Sequence, residues 1–462
     1  MSLLAKSVAR AVVIATVVLT SATLAAPTPQ AVDAFVRGQM RANAVPGMAV
    51  AITSRAGTMY TQGYGLANVA TREPFTPFTR TVLGSVTKSV TAILAASLAA
   101  EGRLSLDAPI SSLAPNLPWR ASNGAATLFQ LLSHTSGLPD GVDLSQASDG
   151  MALENYARVV AASTPIGPPG GAWVYSSSGY SLAGYLLQEA GNAPFRSLID
   201  TYVLKPLSLK HTGFSREGLA EGCLPGGRGL REHAPASGAG NDPSGMLTSS
   251  VVDFSRYLRV LADGGRLRGR EVWRSSVVRE VLTAAATEPD GLAYTLGWEE
   301  TRVGGQAVFL HAGDVLSQGS CAAFTADGDF TVVVTANRAG KFIERTARSF
   351  LAIALGLEPI VDSPLPPDLA PVARLPLWSS LAGLYQAGDG QARLSVGPTG
   401  LHGRYSGPVS FDFDITQDGA QYVVRSAFSP LDGAMLDLNF LPDGRPQFSY
   451  HGVAVATQLS QR

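Results

Sequence analysis

Residues 84–100 read Gly-Ser-Val-Thr-Lys-Ser-Val-Thr-Ala-Ile-Leu-Ala-Ala-Ser-Leu-Ala-Ala, and this stretch does most to decide the fold. Its good helix formers predict an apolar helix over residues 86–100 that stops at Gly102. Ser85 and Lys88 are three positions apart, so they share one face of the first turn. At a helix N-terminus, free backbone N–H groups and the helix dipole favour negative charge near the serine.

This pair has the residue types that nucleophilic catalysis needs. A serine hydroxyl is a poor nucleophile unless an adjacent base takes its proton, and a lysine desolvated by burial can be that base. The chain has 35 Lys and Arg residues, of which only five are lysine, and Ser-x-x-Lys occurs once. The alternative interpretation is a serine that caps the helix and a lysine in solvent.

Two further segments are candidates for the same site. Tyr175-Ser176-Ser177 follows a Pro-Pro-Gly-Gly turn and precedes an apolar helix. His311-Ala312-Gly313 follows one strand-like run and precedes another. Each has an ordinary structural reading as well, since a tyrosine before a helix is often a core residue and a lone histidine is often structural.

In this order, the three segments resemble the motifs of the serine β-lactamase and penicillin-binding protein family. The resemblance is strongest to its class C-like branch, which includes esterases and D-amino-acid peptidases, and it covers residues 30–357. Four other segments are similar to the family: Leu104-Ser105-Leu106-Asp107, Leu132-Ser133-His134-Thr135-Ser136-Gly137-Leu138-Pro139, Gly245-Met246-Leu247 before Asp253, and Val332-Val333-Val334-Thr335-Ala336-Asn337-Arg338.

The resemblance implies a role for each matched residue. Ser85 would be the nucleophile that forms an acyl-enzyme, and Lys88 would shuttle its proton. Tyr175 would act as a base, as a phenolate between cationic neighbours, and His311 stands where many relatives have lysine and some have histidine. The backbone N–H groups of Ser85 and Asp314 would form the oxyanion hole.

Four positions of the expected substrate-binding region bear on specificity. Ser177 stands where the second motif of the family usually ends in asparagine. Ala312, which precedes Gly313, stands where members of the family often have threonine. Asp314 brings a negative charge beside the expected oxyanion site. Asn337 matches a carboxylate-reading asparagine of class C enzymes, or else it closes its strand structurally. These differences argue against a dedicated β-lactamase.

Composition excludes several classes of protein. Charged residues make up 15% of the 462 residues and the net charge is −1, so neither a disordered acidic chain nor a basic nucleic-acid-binding surface is expected. The six histidines are scattered without a metal motif, and we expect no metal and no organic cofactor. Cys223 and Cys321 could pair in an exported protein or remain free thiols.

The N-terminus predicts export. Lys6 and Arg10 precede the apolar run 11–20, and Thr23-Leu24-Ala25 offers small residues at −3 and −1. We expect a signal peptide over residues 1–25, cleavage before Ala26, no membrane span afterwards, and a periplasmic or extracellular protein. An uncleaved anchor is the alternative.

The rest of the chain predicts an α+β catalytic domain over residues 26–361 with antiparallel strands near both of its ends. Helices are expected at 27–43, 180–190, 254–262 and 342–355, and strands at 47–53, 58–64, 307–310, 321–326 and 330–336. A proline-rich linker at 362–377 would lead to an all-β, barrel-like domain at 378–462.

The leading hypothesis for function is a serine hydrolase that acts on a small ester, amide or peptide substrate. A peptidase for D-amino-acid or cell-wall peptides, or a β-lactamase, is the second. A catalytically silent binding protein on the same fold is the third, because of Ser177 and Asp314.

Overall fold

The structure is a computed structural model. It describes residues 29–140, 152–226, 229–233, 239–288, 291–315, 317–360 and 381–458, the last range without 382, 388–389, 397–400, 407–409, 419–420, 426–434, 441–445 and 451–452. The predicted signal peptide and the predicted linker lie outside the described residues, so both stay predictions, and so do the domain boundaries.

A nine-stranded antiparallel sheet forms the centre of the region between residues 29 and 360. Its strand order is β10-β11-β12-β13-β14-β15-β1-β2-β3, so the first strands pair beside the last one. The strands are β1 Gly47–Ser54, β2 Gly57–Asn68, β3 Glu73–Pro74, β10 Ala286–Thr287, β11 Ala293–Tyr294, β12 Glu299–Val303, β13 Gln306–Val315, β14 Gln318–Thr325 and β15 Phe330–Ala336. Short pairs are formed by β4 Thr81–Val82 with β7 Thr248–Ser249, β5 Gly222–Gly226 with β6 Gly229–His233, and β8 Arg266–Leu267 with β9 Arg270–Glu271.

Helices cover both faces of this sheet. On one face, α1 and α12 bury Val36 and Phe350 against strand residues such as Val334. On the other face, α2, α6 and α10 share one large apolar core with residues such as Phe324. The helices are α1 Pro29–Ala42, α2 Thr87–Ala100, α3 Ala121–Ala125, α4 Leu128–Leu132, α5 Ala152–Ala162, α6 Ser177–Gly191, α7 Phe195–Ile199, α8 Lys205–Leu207, α9 Asp242–Gly245, α10 Val251–Ala262, α11 Ser275–Leu282 and α12 Phe342–Ala354.

The predicted α+β class is confirmed, and each predicted helix and strand is present, the strand at 330–336 with its predicted bounds and the others with shifted ends. The main difference between the predicted and observed elements is at the start of α2, the helix that follows Ser85. Gly84–Val86 forms a 3₁₀ turn that leads into α2, so Ser85 precedes the α-helix proper. A 3₁₀ turn at a helix N-terminus is common, and here it separates Ser85 from the regular backbone of the helix.

A closed eight-stranded barrel lies beyond the predicted linker, in agreement with the expected all-β region. Its strands are β16 Gly383–Ala387, β17 Gly390–Val396, β18 Leu401–Ser406, β19 Ser410–Asp418, β20 Gln421–Arg425, β21 Met435–Phe440, β22 Pro446–Tyr450 and β23 Val453–Gln458. Ala392 and Leu394 are buried, as expected where alternate side chains fill a small barrel. Among the helices of the described residues, none combines the length and apolar character needed to cross a bilayer.

Candidate active site

Ser85 lies where the chain turns into α2, and two glycines allow its close approach to β13. Gly84 has a left-handed backbone with φ of 54°, a conformation that favours glycine. A Cβ on Gly84 would lie 2.7 Å from the Asp314 nitrogen, and one on Gly313 would lie 2.9 Å from the Ser85 nitrogen. The backbone at Ser85 therefore packs directly on the backbone at Gly313 and Asp314, while the Ser85 side chain stays half-buried.

Lys88, the second residue of α2, is fully buried behind Ser85. Its Nζ lies 3.0 Å from the Ser85 Oγ, 3.2 Å from the Ser177 Oγ and 2.9 Å from the Ser244 carbonyl oxygen. Burial lowers the pKa of Lys88 to about 7, against a small opposing effect of Asp140. The amine is therefore poised to gain or lose a proton near neutral pH, as a general base requires.

Tyr175 stands against the same amine, with Lys88 Nζ 4.7 Å from the centre of its ring. Burial raises the pKa of the Tyr175 phenol well above its usual range, although hydrogen bonding with Ser85 and Ser177 acts in the opposite direction. The expected phenolate between cationic neighbours is therefore not supported. The reason is that burial favours the uncharged form of Lys88 as well as that of the phenol.

Ser177 contacts Lys88 from the position where the second motif usually has an asparagine. It is the first residue of α6, and its hydroxyl accepts a hydrogen bond from Lys88. Ser176 caps the same helix, since its Oγ accepts the Gly179 N–H at 2.9 Å. The helix start thus brings Tyr175 and Ser177 to Lys88 together, one residue on each side of the cap.

His311 is close to the site, but other groups occupy its ring nitrogens. Its Nδ1 lies 2.6 Å from the Ala312 carbonyl oxygen, and its Nε2 lies 3.2 Å from the Tyr294 hydroxyl. Burial and the charge of Lys88 lower the pKa of His311 to about 3, so the ring is neutral. His311 consequently does not supply the positive charge that a lysine would supply at this place, and the expected direct catalytic role is not supported.

The other positions of the third motif divide between the two faces of β13. His311 and Gly313 share the face toward Ser85, while Ala312 and Asp314 lie on the opposite face, because successive side chains of a strand alternate. Asp314 is exposed, and its Oδ1 accepts the Gly340 N–H at 3.2 Å. The surrounding protein atoms raise the pKa of Asp314, whereas the charge of Lys341 and the hydrogen bond from Gly340 act to lower it.

Asn337 is a structural residue, which corrects its expected role in substrate binding. Its Oδ1 accepts the Gly47 N–H at 2.8 Å, and its Nδ2 donates to the Leu66 carbonyl at 2.9 Å. The side chain is completely buried. The amide oxygen binds β1 and the amide nitrogen binds β2. The structure therefore supports the alternative interpretation, in which Asn337 closes its strand structurally.

Three groups of the site were not singled out in the sequence. The Ser244 carbonyl accepts from Lys88, and Asp140, which accepts the Ser178 N–H at 3.1 Å, adds a negative charge near the amine. The third is Tyr294. Ser244 directly precedes the Gly245-Met246-Leu247 segment and Asp140 directly follows the Leu132–Pro139 segment, so these family-like segments could have indicated both residues. Nothing in the sequence distinguishes Tyr294 from other tyrosines.

The two cysteines are free thiols and both are buried. Within the described ranges, no group of three or more His, Cys, Asp and Glu residues is arranged to hold a metal ion.

Comparison with known proteins is consistent with this geometry. A family profile described as "Beta-lactamase" matches residues 32–355. Protein flp of Staphylococcus aureus (strain MW2) is 23% identical over 327 residues, which is 68% of this chain and 64% of that protein. The unguisins hydrolase ungD of Aspergillus violaceofuscus is 24% identical over 335 residues, or 63% of this chain and 58% of that protein. The chain thus spans just under two thirds of the length of the curated relatives it matches.

Solved structures share the fold over nearly the whole chain. SurE is 25% identical with a TM-score of 0.65, covering 93% of this chain and 98% of SurE. An octameric penicillin-binding protein homologue from Pyrococcus abyssi is 22% identical with a TM-score of 0.64, covering 92% and 99% of the two chains. The expected relationship is confirmed by the match over residues 32–355, and this chain belongs to the β-lactamase family.

Proposed function

We propose that this chain is an exported serine hydrolase that cleaves an ester or amide through an acyl-enzyme on Ser85. The observation that carries the proposal is the buried Lys88 amine 3.0 Å from the Ser85 hydroxyl, with its pKa lowered to about 7. A hydroxyl with a neutral amine in hydrogen-bonding reach is the arrangement of an activated nucleophile.

In the proposed acylation, neutral Lys88 takes the Ser85 proton while the Ser85 Oγ bonds to the substrate carbonyl carbon. The carbonyl oxygen becomes an oxyanion beside the backbone N–H groups of Ser85 and Asp314, and each such donor contributes about 3 kcal/mol in known enzymes. When the tetrahedral intermediate collapses, the leaving group takes the proton of the Tyr175 hydroxyl. Lys88 then returns its proton to Tyr175, so both groups end as they began.

Deacylation reverses these roles with water as the nucleophile. Lys88 takes a proton from water while the water oxygen bonds to the acyl carbon. The bond to the Ser85 Oγ breaks, and the serine oxygen receives the proton from Lys88. Tyr175 neither gains nor loses a proton in this half of the reaction, and burial, which raises its pKa, keeps it a neutral phenol.

A neutral ester fits the charges of the site. His311 is neutral where many relatives have a lysine and some a histidine, and Asp140 is the acidic group that acts on Lys88. A substrate carboxylate beside the scissile bond therefore lacks the cation expected from the third motif. The second candidate is a peptidase for D-amino-acid substrates, which the structure of SurE with D-Leu favours.

Export is part of the proposal and rests on residues 1–25. N-terminal sequencing of the exported protein should begin at Ala26. A protein that retains Met1 and stays in the membrane would contradict this part alone.

The decisive experiment is labelling with a fluorophosphonate probe, followed by intact mass. The wild type should gain one adduct and Ser85→Ala none. Ser97→Ala is the matched control, because Ser97 lies on the same helix and its hydroxyl only donates to the Ile93 carbonyl at 2.7 Å. A p-nitrophenyl ester, a cephalosporin and a D-alanyl dipeptide then separate the candidate activities. No adduct and no turnover on any substrate would favour the silent binding protein.

A further inference from the structure

Three buried rings connect the start of α6 to β13. We propose that Tyr294 is a positioning residue, whose hydroxyl links His134 to His311 in a hydrogen-bonded relay with a single allowed direction. The Tyr294 oxygen lies 3.2 Å from Nε2 of His134 and 3.2 Å from Nε2 of His311. All three residues are at most 2% exposed.

The two ends of the relay fix where its protons lie. The backbone N–H of Ser176 donates to Nδ1 of His134 at 3.0 Å, so this nitrogen carries no proton. A neutral His134 therefore carries its proton on Nε2 and donates it to Tyr294. At the other end, the Ala312 carbonyl can only accept, so Nδ1 of His311 carries the proton and Nε2 accepts from Tyr294.

The opposite direction is chemically excluded. It would need His134 to hold no proton on either nitrogen, which is an imidazolate anion. A phenol satisfies both histidines because one oxygen accepts from one ring and donates to the other. Phenylalanine would fill the same volume, but it would leave a buried donor and a buried acceptor unpaired.

The surroundings keep the relay neutral. Lys88 acts on both histidines and Lys341 also acts on His311. The phenols of Tyr180 and Tyr175 and, more weakly, Glu299 and Glu288 act on Tyr294, and the Tyr294 hydroxyl also hydrogen bonds with Tyr180. Burial lowers the pKa of both histidines and raises the pKa of the Tyr294 phenol well above its usual range.

The relay has two consequences for the site. It joins Ser176, which stands between Tyr175 and Ser177, to Ala312 in the strand that carries the proposed oxyanion donor. It also keeps His311 uncharged, so that no second cation competes with proton uptake by Lys88. The left-handed backbone of His134, with φ of 61°, fits a residue held in place at both its backbone and its ring.

The relay can be tested without an activity measurement. Long-range ¹H–¹⁵N spectra of the full chain labelled at histidine report the tautomer of each ring. We expect the Nε2–H tautomer for His134 and the Nδ1–H tautomer for His311, both unchanged between about pH 5 and pH 9. His134→Gln and His311→Gln assign the two signals. The same tautomer in both rings, or titration of His311 near its usual pKa, would overturn the relay.

The positioning role is tested by Tyr294→Phe, and this arm rests on the proposed hydrolase activity. Displacement of the catalytic groups should lower kcat roughly 10- to 100-fold with KM within about threefold, and the histidine signals should shift. Tyr257→Phe is the matched control, since it removes a buried hydroxyl that donates to Ser89 at 3.3 Å. Equal kcat values in the two variants would overturn the positioning role. If the wild type hydrolyses nothing, the proposed function fails while the tautomers still test the relay.

Discussion

The amine of Lys88 lies 3.0 Å from the hydroxyl of Ser85 and is completely shielded from solvent. A protonated amine can donate one hydrogen bond each to the Ser85 hydroxyl, the Ser177 hydroxyl and the Ser244 carbonyl. When the amine loses a proton, its nitrogen gains a lone pair that can accept the proton of the Ser85 hydroxyl. Burial brings the pKa of Lys88 to about 7, so the charge on this one residue controls the site at neutral pH.

We expect the pH dependence of kcat/KM for a neutral ester to follow the neutral form of Lys88. The rate should rise about tenfold per pH unit on the acid side and level off above about pH 7. Lys88→Arg should not restore activity, because guanidinium keeps its proton. A rate that is independent of pH between 5 and 8, or an active arginine variant, would remove Lys88 from proton transfer.

Lys88→Met should stabilise the protein more at pH 6 than at pH 9. The unfolded chain, with Lys88 at its usual pKa of 10.5, binds more protons than the folded chain between pH 7 and 10.5. The wild-type free energy of unfolding therefore rises with pH across this window. The advantage of the methionine variant should shrink by about 2–3 kcal/mol from pH 6 to pH 9. Denaturant unfolding at both pH values measures it, and an advantage that does not change would be inconsistent with a neutralised lysine.

Gly313→Ala should separate the nucleophile from β13. The new methyl would lie 2.0 Å from the Leu83 carbonyl oxygen and 2.9 Å from the Ser85 nitrogen, so one backbone must move. We expect kcat/KM to fall at least about 100-fold. Gly213→Ala is the control, since a Cβ there meets nothing within 4 Å. Similar kinetics in the two variants would mean that this close approach is not needed.

A neutral p-nitrophenyl ester should react faster than a cephalosporin. On the face of β13 toward Ser85, the cephalosporin carboxylate meets a neutral His311 instead of a cation. Loss of one charge-assisted hydrogen bond costs about 1.5–3 kcal/mol, or roughly 10- to 150-fold in kcat/KM. His311→Lys, which would place a cation on the face of β13 toward Ser85, should shift the ratio toward the β-lactam. Faster hydrolysis of the cephalosporin by the wild type would refute the carboxylate argument.

Limited proteolysis should cut first between residues 362 and 377. If this segment joins two folding units, the product is a catalytic core of about 340 residues. Cleavage inside either flanking region, with residues 362–377 intact, would instead indicate one fused unit.

Much of the fold could be predicted because its signals are local. The strand-like runs at 321–326 and 330–336 and the apolar run after Ser85 each indicate an element within a few residues. The strand order could not be read in this way, because pairing of β1 with β15 depends on residues far apart in the chain.

The site shows the same division. Ser85 and Lys88 lie one helical turn apart, so their contact follows from helix geometry. The partners of His311 and Asn337 depend on Tyr294 and Gly47, which only the folded chain brings near. The charge expected for Tyr175 depended on the number of surrounding atoms, which no sequence pattern displays.

Because β1 pairs with β15, the central sheet cannot be completed until late in synthesis of the chain. The Gly47 N–H is bonded to the Asn337 side chain across 290 positions of the chain. At 5–20 residues per second, a ribosome needs about 15–60 s to make that length. Throughout this interval the first hairpin has one unpaired edge, which a chaperone or a secretion factor can bind. A growing chain therefore spends about 15–60 s with an unfinished sheet, which can be completed only after β15 has been made.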